Sequence, residues 1–318
     1  MNKYLKLMRV DQYVKNVIVL LPLLFSGDLF TDWKIIPTLL GVLFFCLVSS
    51  AVYLMNDIAD AEADAKNPAK CHRPIPSGQI PKRKAYMMCI TLALIAIGGS
   101  FLLTLVDDWN VSPLAGAWIM IYFMINILYS LGLKEVIIID VVMIVAGFVI
   151  RVFYGTIVAN VIISPWFYVL IACLVTFTTV GKRINEKRRM NKNGICIRKV
   201  LEGISEESLL VCLYLSLILL NIIYVIWITD LIEIGICMTN PLWTIPFMIL
   251  FSYKCFVIIQ GNETDHDPLP LFVRDKIWII TFLTLIASIV ITFYVEVPII
   301  NEGVDLVNII SVYTGAFV

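Results

Sequence analysis

Asn56-Asp57-Ile58-Ala59-Asp60-Ala61-Glu62-Ala63-Asp64 is the stretch from which the rest of the chain can be read. It closes the apolar run 35–56, and so sets three Asp and one Glu at the mouth of a membrane helix. Lys66, Lys70, His72 and Arg73 follow, then Pro74-Ile75-Pro76-Ser77-Gly78. On a continuing helix Asn56, Asp60 and Asp64 recur every fourth residue and share a face, with Asp57 beside them. Carboxylates packed this closely repel one another unless a cation sits between them. Hard oxygen ligands of this kind suit Mg²⁺, which usually takes a few carboxylates together with the phosphates of a substrate. Asn56, Asp57, Asp60 and Asp64 are therefore candidate metal ligands of a diphosphate site at the membrane–water boundary. The plainer alternative is a solvated acidic loop. The abutting span and the Lys/Arg cluster favour the site, with Lys70 as a point charge and Arg73 as a planar fork for phosphate oxygens. Pro74, Pro76 and Gly78 are expected to bend the loop back over the helix mouths.

Of 318 residues, 60% are apolar and 15% charged, against about 25% charged in a soluble domain. That composition specifies an all-α, polytopic membrane protein. The eight Cys are scattered, with no CxxC pair, which argues against a zinc site or a disulfide framework. Two His make a histidine metal centre or a haem a poor fit. A P-loop, a GxGxxG fingerprint, a HExxH pair and a Ser-His-Asp signature are all missing.

A span needs about 20 mostly apolar residues. Nine candidates meet that measure: 14–31, 35–56, 84–106, 113–132, 136–157, 164–182, 207–229, 241–260 and 277–297. The first, interrupted by Pro22 and Gly27 and preceded by Lys3, Lys6 and Arg9, reads as a signal-anchor-like helix. With the N-terminus inside, the loops near 57–83, 133–135, 183–206 and 261–276 are cytoplasmic and hold nearly every Lys and Arg. The opposite loops and the tail 298–318 carry only Lys34 among the basic residues. This asymmetry follows the positive-inside rule and supports both count and orientation in the cell membrane. Arg151 and Lys254, inside spans, resist assignment. No soluble segment is long enough to fold alone, so 1–318 is taken as one transmembrane domain, its chemistry in the loops 57–83 and 183–206.

Further polar residues sit where a membrane protein rarely wastes them. Tyr129-Ser130-Leu131-Gly132-Leu133-Lys134 precedes Asp140, an intramembrane carboxylate that by default faces a partner or a wet cavity. Gly147 and Arg151 share its helical face, Arg151 about 16 Å further along the axis. Asp140 and Arg151 are expected to line one wall of a cavity for a charged substrate; a structural ion pair is the alternative. Lys182, Arg183 and Glu186 end the sixth span, the bases to bind phosphate, Glu186 to orient them or join the metal shell. Lys187-Arg188-Arg189 reads as a membrane-surface anchor. Lys15 lies about one turn inside the first span, for substrate or snorkelling to the interface. Asp265-His266-Asp267-Pro268 to Asp275 offers a lid or a helix cap.

The Asn-Asp-x-x-Asp-x-x-x-Asp pattern at Asn56, Asp57, Asp60 and Asp64 resembles the first signature of the UbiA-type intramembrane prenyltransferase superfamily. The resemblance implies nine transmembrane helices around a cavity open to membrane and cytoplasm. The second aspartate-rich motif of its aromatic prenyltransferases is not met: Lys134 and a single Asp140 follow Tyr129-Ser130. That departure, with Arg9 to Asn16, Asn56 to Gly78 (with Pro68, Lys70, Arg73 and Pro74), Tyr129 to Arg151, Ser164 to Glu186 and Asp267 to Asp275, is similar to the decaprenyl-phosphate phosphoribosyltransferase branch. What this implies is Mg²⁺ as cofactor, held at Asp57, Asp60 and Asp64, and transfer of 5-phosphoribose from phosphoribosyl diphosphate (PRPP) to a polyprenyl phosphate, for cell-envelope polysaccharide synthesis. Asp57, Asp60, Asp64 and Asp140 are the catalytic candidates. Lys15, Asn56, Lys70, Arg73, Tyr129, Lys134, Arg151, Lys182, Arg183 and Glu186 are the substrate-binding ones. The partners implied are PRPP, the lipid and the bilayer, with no nucleic acid; a homo-oligomer is left open. Rival functions are prenyl transfer from a polyprenyl diphosphate to an aromatic acceptor, and a transporter or lipid scramblase. The missing second motif counts against the first, the gathering of charge on one side against the second.

Overall fold

The computed structural model describes residues 3–30, 33–66, 70–130, 137–193, 201, 203–261 and 275–297, all helix and connecting turns. In chain order α1 (Lys3–Leu7) leads into a 3₁₀-helix, Val10–Leu20, and a single turn α2 (Leu21–Leu24). Then come α3 (Ile35–Ala59), α4 (Ala61–Ala65), α5 (Lys82–Leu102), α6 (Leu114–Ser130) and α7 (Ile137–Ala159). The last four are α8 (Pro165–Asn193), α9 (Glu206–Ile234), α10 (Ile245–Gln260) and α11 (Lys276–Tyr294). Seven of the described helices are long and apolar enough to cross a membrane; α6, at 17 residues, is shorter.

The chain packs as two compact units: Met1–Leu24 with Asp28–Ile163, and Phe25–Gly27 with Ser164–Val318. In the first unit small residues let backbones approach, as membrane helices require when no water drives them together. A methyl group on Gly41 of α3 would come within 2.9 Å of Val158 of α7, and one on Gly155 would strike the Val19 carbonyl oxygen. The core around Phe45, Val48, Ile119, Tyr122 and Tyr154 follows from those approaches. A second apolar cluster, with Leu7, Leu54, Ile58, Ile75, Ile80 and Ala85, lies where α1, α3, α5 and the turn before α5 meet. In the second unit Phe25, Phe167, Trp227 and Phe293 interlock with ring centroids 5.3–6.0 Å apart, within the range of favourable aromatic pairs.

Two expectations change. The first span, 14–31, is not one α-helix: a 3₁₀ stretch runs into α2, and the chain turns at Gly27 with φ +80°. Pro22 and Gly27 interrupt it, and Asn16, fully buried, is tied to polar partners on α3 and α7. The sixth span is longer than its apolar run, because α8 continues to Asn193 and puts Lys182 to Arg189 on a helix rather than in a loop.

Candidate active site

The helical register of α3 survives its formal end. The Asp60 amide donates to the Asn56 carbonyl (2.9 Å) and the Asp64 amide to that of Asp60 (2.8 Å), although Asp60 itself, at φ −90° and ψ 2°, parts α3 from α4. Asp57 and Asp64, seven residues apart, therefore fall on one side. Both are buried, at 3% exposure. Arg73 Nη1 donates to each, 3.1 Å from Asp57 Oδ1 and 2.7 Å from Asp64 Oδ2. Lys70 Nζ lies 3.3 Å from Asp64 Oδ1. Arg9 Nη2 donates to Asp57 Oδ1 at 2.5 Å, its guanidinium 4.8 Å from the Tyr53 ring centroid.

The turn that delivers Arg73 is built as its sequence suggests. The Ser77 amide and hydroxyl both donate to the Arg73 carbonyl, Gly78 takes φ +75°, and the Ile80 amide donates to the Pro74 carbonyl. Ile75 and Ile80 then bury in the cluster with Leu54 and Ile58, folding the segment back over the end of α3. Leu7 joins the same cluster. Two apolar anchors, each two residues from a guanidinium, thus bring Arg9 and Arg73 to the acids.

The Asn56 side chain accepts from the Ser130 hydroxyl at the end of α6. Asp140, buried, accepts from the Tyr129 hydroxyl at 2.6 Å, so the carboxylate near the start of α7 is held from the end of α6. Arg151 departs from expectation. It is buried and donates to Asn16 Oδ1 (3.0 Å), the Gly147 carbonyl (2.7 Å) and the Tyr122 hydroxyl (2.9 Å). The rings of Phe45, Tyr122 and Phe148 stand 4.9–5.1 Å from its guanidinium. Neutral acceptors and aromatic faces stabilise a cation in low dielectric, which makes Arg151 a tie between α7, α6 and the 3₁₀ segment. Lys15, next to Asn16 on that segment, is half-buried.

In the second unit Arg183 Nη1 donates to Glu186 Oε2 at 2.6 Å, one turn apart on α8, and both are buried. Lys182 precedes them, half-buried. The reading of Lys187-Arg188-Arg189 as a membrane-surface anchor is corrected. Lys187 donates to the Leu201 carbonyl (2.8 Å). Arg188 pairs with Glu206 (2.7 Å) and caps the end of α10 through the Ile259 and Gln260 carbonyls, and Arg189 is buried. Carbonyls left open at a helix end are a strong sink for a guanidinium. Lys254 finds its partner in Asp275 (2.8 Å), which caps α11 by accepting from the Trp278 amide. Lys134 and the segment Asp265 to Arg274 lie outside the described residues.

Among the described residues, no three His, Cys, Asp or Glu side chains converge as a metal cage. The donor set nevertheless fits Mg²⁺ in kind. Asp57, Asp60 and Asp64 offer hard oxygens within two helical turns. The single Arg73 nitrogen within 3.1 Å of both Asp57 and Asp64 marks a point where positive charge is already drawn between them. Arg9, Ser130 and Asn16 were not singled out from sequence as site residues. Arg9 meets Asp57 across 48 positions and Asn16 meets Arg151 across 135, separations that leave no local periodicity to read.

The UbiA prenyltransferase family model matches residues 17–280. The chain is 30% identical over 295 residues to the decaprenyl-phosphate phosphoribosyltransferase of Corynebacterium glutamicum, covering 92% of this chain and 86% of that one. It is 30% identical over 290 residues to the enzyme of the same name from Mycobacterium tuberculosis, covering 89% and 92%. A solved structure of a UbiA homolog from Archaeoglobus fulgidus, bound to DMAPP and Mg²⁺, superposes with a TM-score of 0.68 at 18% identity, over 91% of this chain and 98% of that one.

Proposed function

The chain belongs to the UbiA prenyltransferase family, and from that premise we propose that it is a membrane-embedded phosphoribosyltransferase, moving 5-phosphoribose from PRPP to a polyprenyl phosphate. The observation that carries this reading is the cluster at the end of α3, where two buried carboxylates are packed against three cations. Such a site offers oxygens to a divalent cation and cations to phosphates. The names of relatives about 30% identical over nine-tenths of the chain supply the acceptor and the group that is moved, and PRPP is the donor that such a transfer implies.

In this reading Asp57, Asp60 and Asp64 hold Mg²⁺. The ion, when bound, supplies Lewis-acid charge to the departing diphosphate. Lys70 and Arg73, already drawn to the acid cluster, hold phosphates as charge develops. An oxygen of the lipid phosphate attacks ribose C1 while the bond from C1 to the diphosphate oxygen breaks, and diphosphate leaves with that electron pair. Asp140, oriented by the Tyr129 hydroxyl, is assigned to the ribose side of the substrate, and Asn56 with Ser130 to the wall beside the acids. Arg151 holds that wall together through Asn16 rather than meeting substrate. The segments 14–31 and 113–132 complete nine crossings of the cell membrane, with the N-terminus and the acid cluster on the cytoplasmic side. The product feeds assembly of a cell-envelope polysaccharide.

The test is transfer of label from ribose-labelled PRPP into organic-extractable lipid by purified protein with polyprenyl phosphate and Mg²⁺. Label that disappears with chelator and in Asp60→Asn supports the reading. No label, with prenylation of an aromatic acid by a polyprenyl diphosphate instead, overturns it in favour of the aromatic prenyltransferase rival.

A further inference from the structure

Two of the acids assigned to the metal are held by the chain's own cations. Arg73 spans Asp57 and Asp64, Lys70 adds to Asp64, and Arg9 adds to Asp57. Three cations thus face two buried carboxylates. A divalent ion that takes those oxygens has to displace guanidinium, and a displaced guanidinium keeps the fork geometry that suits a phosphate.

Arg9 is distinct among the three. Its backbone sits at φ 51°, ψ 50°, a left-handed conformation that non-glycine residues seldom adopt. It is pinned from both sides, by the buried Leu7 of α1 and by the buried Asn16 of the 3₁₀ segment. Its side chain is 27% exposed, against 4% for Asp57, so it can swing to water without opening the apolar cluster. A strained residue whose side chain rests on a functional carboxylate has the character of a held, releasable contact.

We propose that Arg9 couples the two ligands of the site: it occupies Asp57 in the ligand-free chain and passes to a phosphate oxygen of the diphosphate when a divalent cation takes Asp57. The proposal rests on the assignment of Asp57, Asp60 and Asp64 to the metal. It is an ion exchange, with no covalent bond made or broken. The cation alone competes with Arg9, whereas the cation and diphosphate together leave every charge paired. Each ligand therefore strengthens the other, as linkage requires.

The full chain in detergent is titrated with Mn²⁺ as the divalent probe, followed by the resonance of free Mn²⁺; radiolabelled inorganic diphosphate is then bound at saturating Mn²⁺. Arg9→Asn removes the guanidinium while tolerating the left-handed backbone. It is expected to bind Mn²⁺ alone roughly tenfold tighter, and diphosphate roughly tenfold weaker, the size of one charge-assisted hydrogen bond. Structural damage would weaken both, so the opposed shifts identify the exchange. Arg9→Lys, which keeps charge without the fork, should show the same opposed shifts at reduced size and carries the test if Arg9→Asn elutes as aggregate. Unchanged Mn²⁺ affinity in both Arg9 variants, with Mn²⁺ binding lost in Asp57→Asn and Asp64→Asn, overturns the role of Arg9 and leaves the metal assignment standing. Mn²⁺ binding that is absent from the wild-type chain, or indifferent to Asp57→Asn and Asp64→Asn, removes the metal assignment and the Arg9 proposal with it.

Discussion

Arg73 serves two carboxylates at once, and that sharing decides how much each cation contributes. Breaking a buried ion pair outright costs about 3–5 kcal/mol, because a charge is left unpaired away from water. Here Asp57 keeps Arg9 and Asp64 keeps Lys70 when Arg73 is removed. Arg73→Gln is therefore expected to destabilise by only about 2 kcal/mol. Lys70, whose side chain is 43% exposed, is in the regime where ion pairs contribute below about 1 kcal/mol, so Lys70→Gln should be close to neutral for stability. Denaturant unfolding of both variants in the same detergent checks the order; a larger effect at Lys70 would mean that the cluster is not organised around Arg73. At this scale the clustering of the acids was legible, since Asn56, Asp57, Asp60 and Asp64 recur at helical spacing against a span. Their partners were less so. Arg73 lies in the same polar segment and could be named, but Arg9 is recruited across 48 positions by the burial of Leu7.

Among the elements, packing tolerance differs sharply between two glycines that look alike in sequence. A methyl group at Gly155 of α7 would strike the Val19 carbonyl oxygen, which is backbone and cannot turn aside; at Gly181 of α8 it would meet Ile259, its Cδ1 at 2.6 Å and its Cγ1 and Cγ2 at 3.0 Å, a side chain that has to shift but is not backbone. Gly155→Ala is expected to cost about 1–3 kcal/mol. Gly181→Ala should be near neutral, since the helix-propensity gain of about 1 kcal/mol offsets repacking. Thermal unfolding of the pair tests the contrast. The cap of α11 adds a pH dependence. The Lys254 ammonium, and then the Trp278 amide, hold the Asp275 carboxyl below its usual range. A depressed carboxyl stabilises the fold above its unfolded value of about 3.9, and loses that contribution as pH falls through the lower folded value. Asp275→Ala should thus cost about 1 kcal/mol at neutral pH. The gap from wild type should close below about pH 4, in unfolding scans of both proteins across that range.

For the molecule as a whole, the distribution of charge predicts an orientation that labelling can test. In a cysteine-free background, Ser77→Cys, on an exposed turn after the acids, should react with an impermeant maleimide only in inside-out vesicles. Asp108→Cys, exposed on the opposite connection, should react only in right-side-out ones. The reverse pattern would place the acid cluster outside the cell and exclude PRPP as donor. The long α3, α5, α7, α9 and α11 lie where the apolar runs put them, since a 20-residue apolar helix has one favourable environment and hydropathy reports it directly. The 3₁₀ segment in place of a first α-helical span, and the extension of α8 through its bases, went unread for a common reason. In both, side chains of low apolarity are stabilised by distant partners, Arg151 for Asn16, and Glu206 with the end of α10 for Arg188.

Composition and hydropathy were thus enough to establish a polytopic helical membrane protein, and the spacing of Asn56 to Asp64 to expect its acids clustered at one helix mouth. Each of those properties depends on transfer from water or on neighbours within a few helical turns. Which cation meets which acid, whether Arg151 faces substrate or a cage of rings, and whether Arg188 faces lipid or a helix end were decided only on folding. These are contacts between segments remote in the chain, selected by which apolar anchors bury together, and no local pattern encodes that choice.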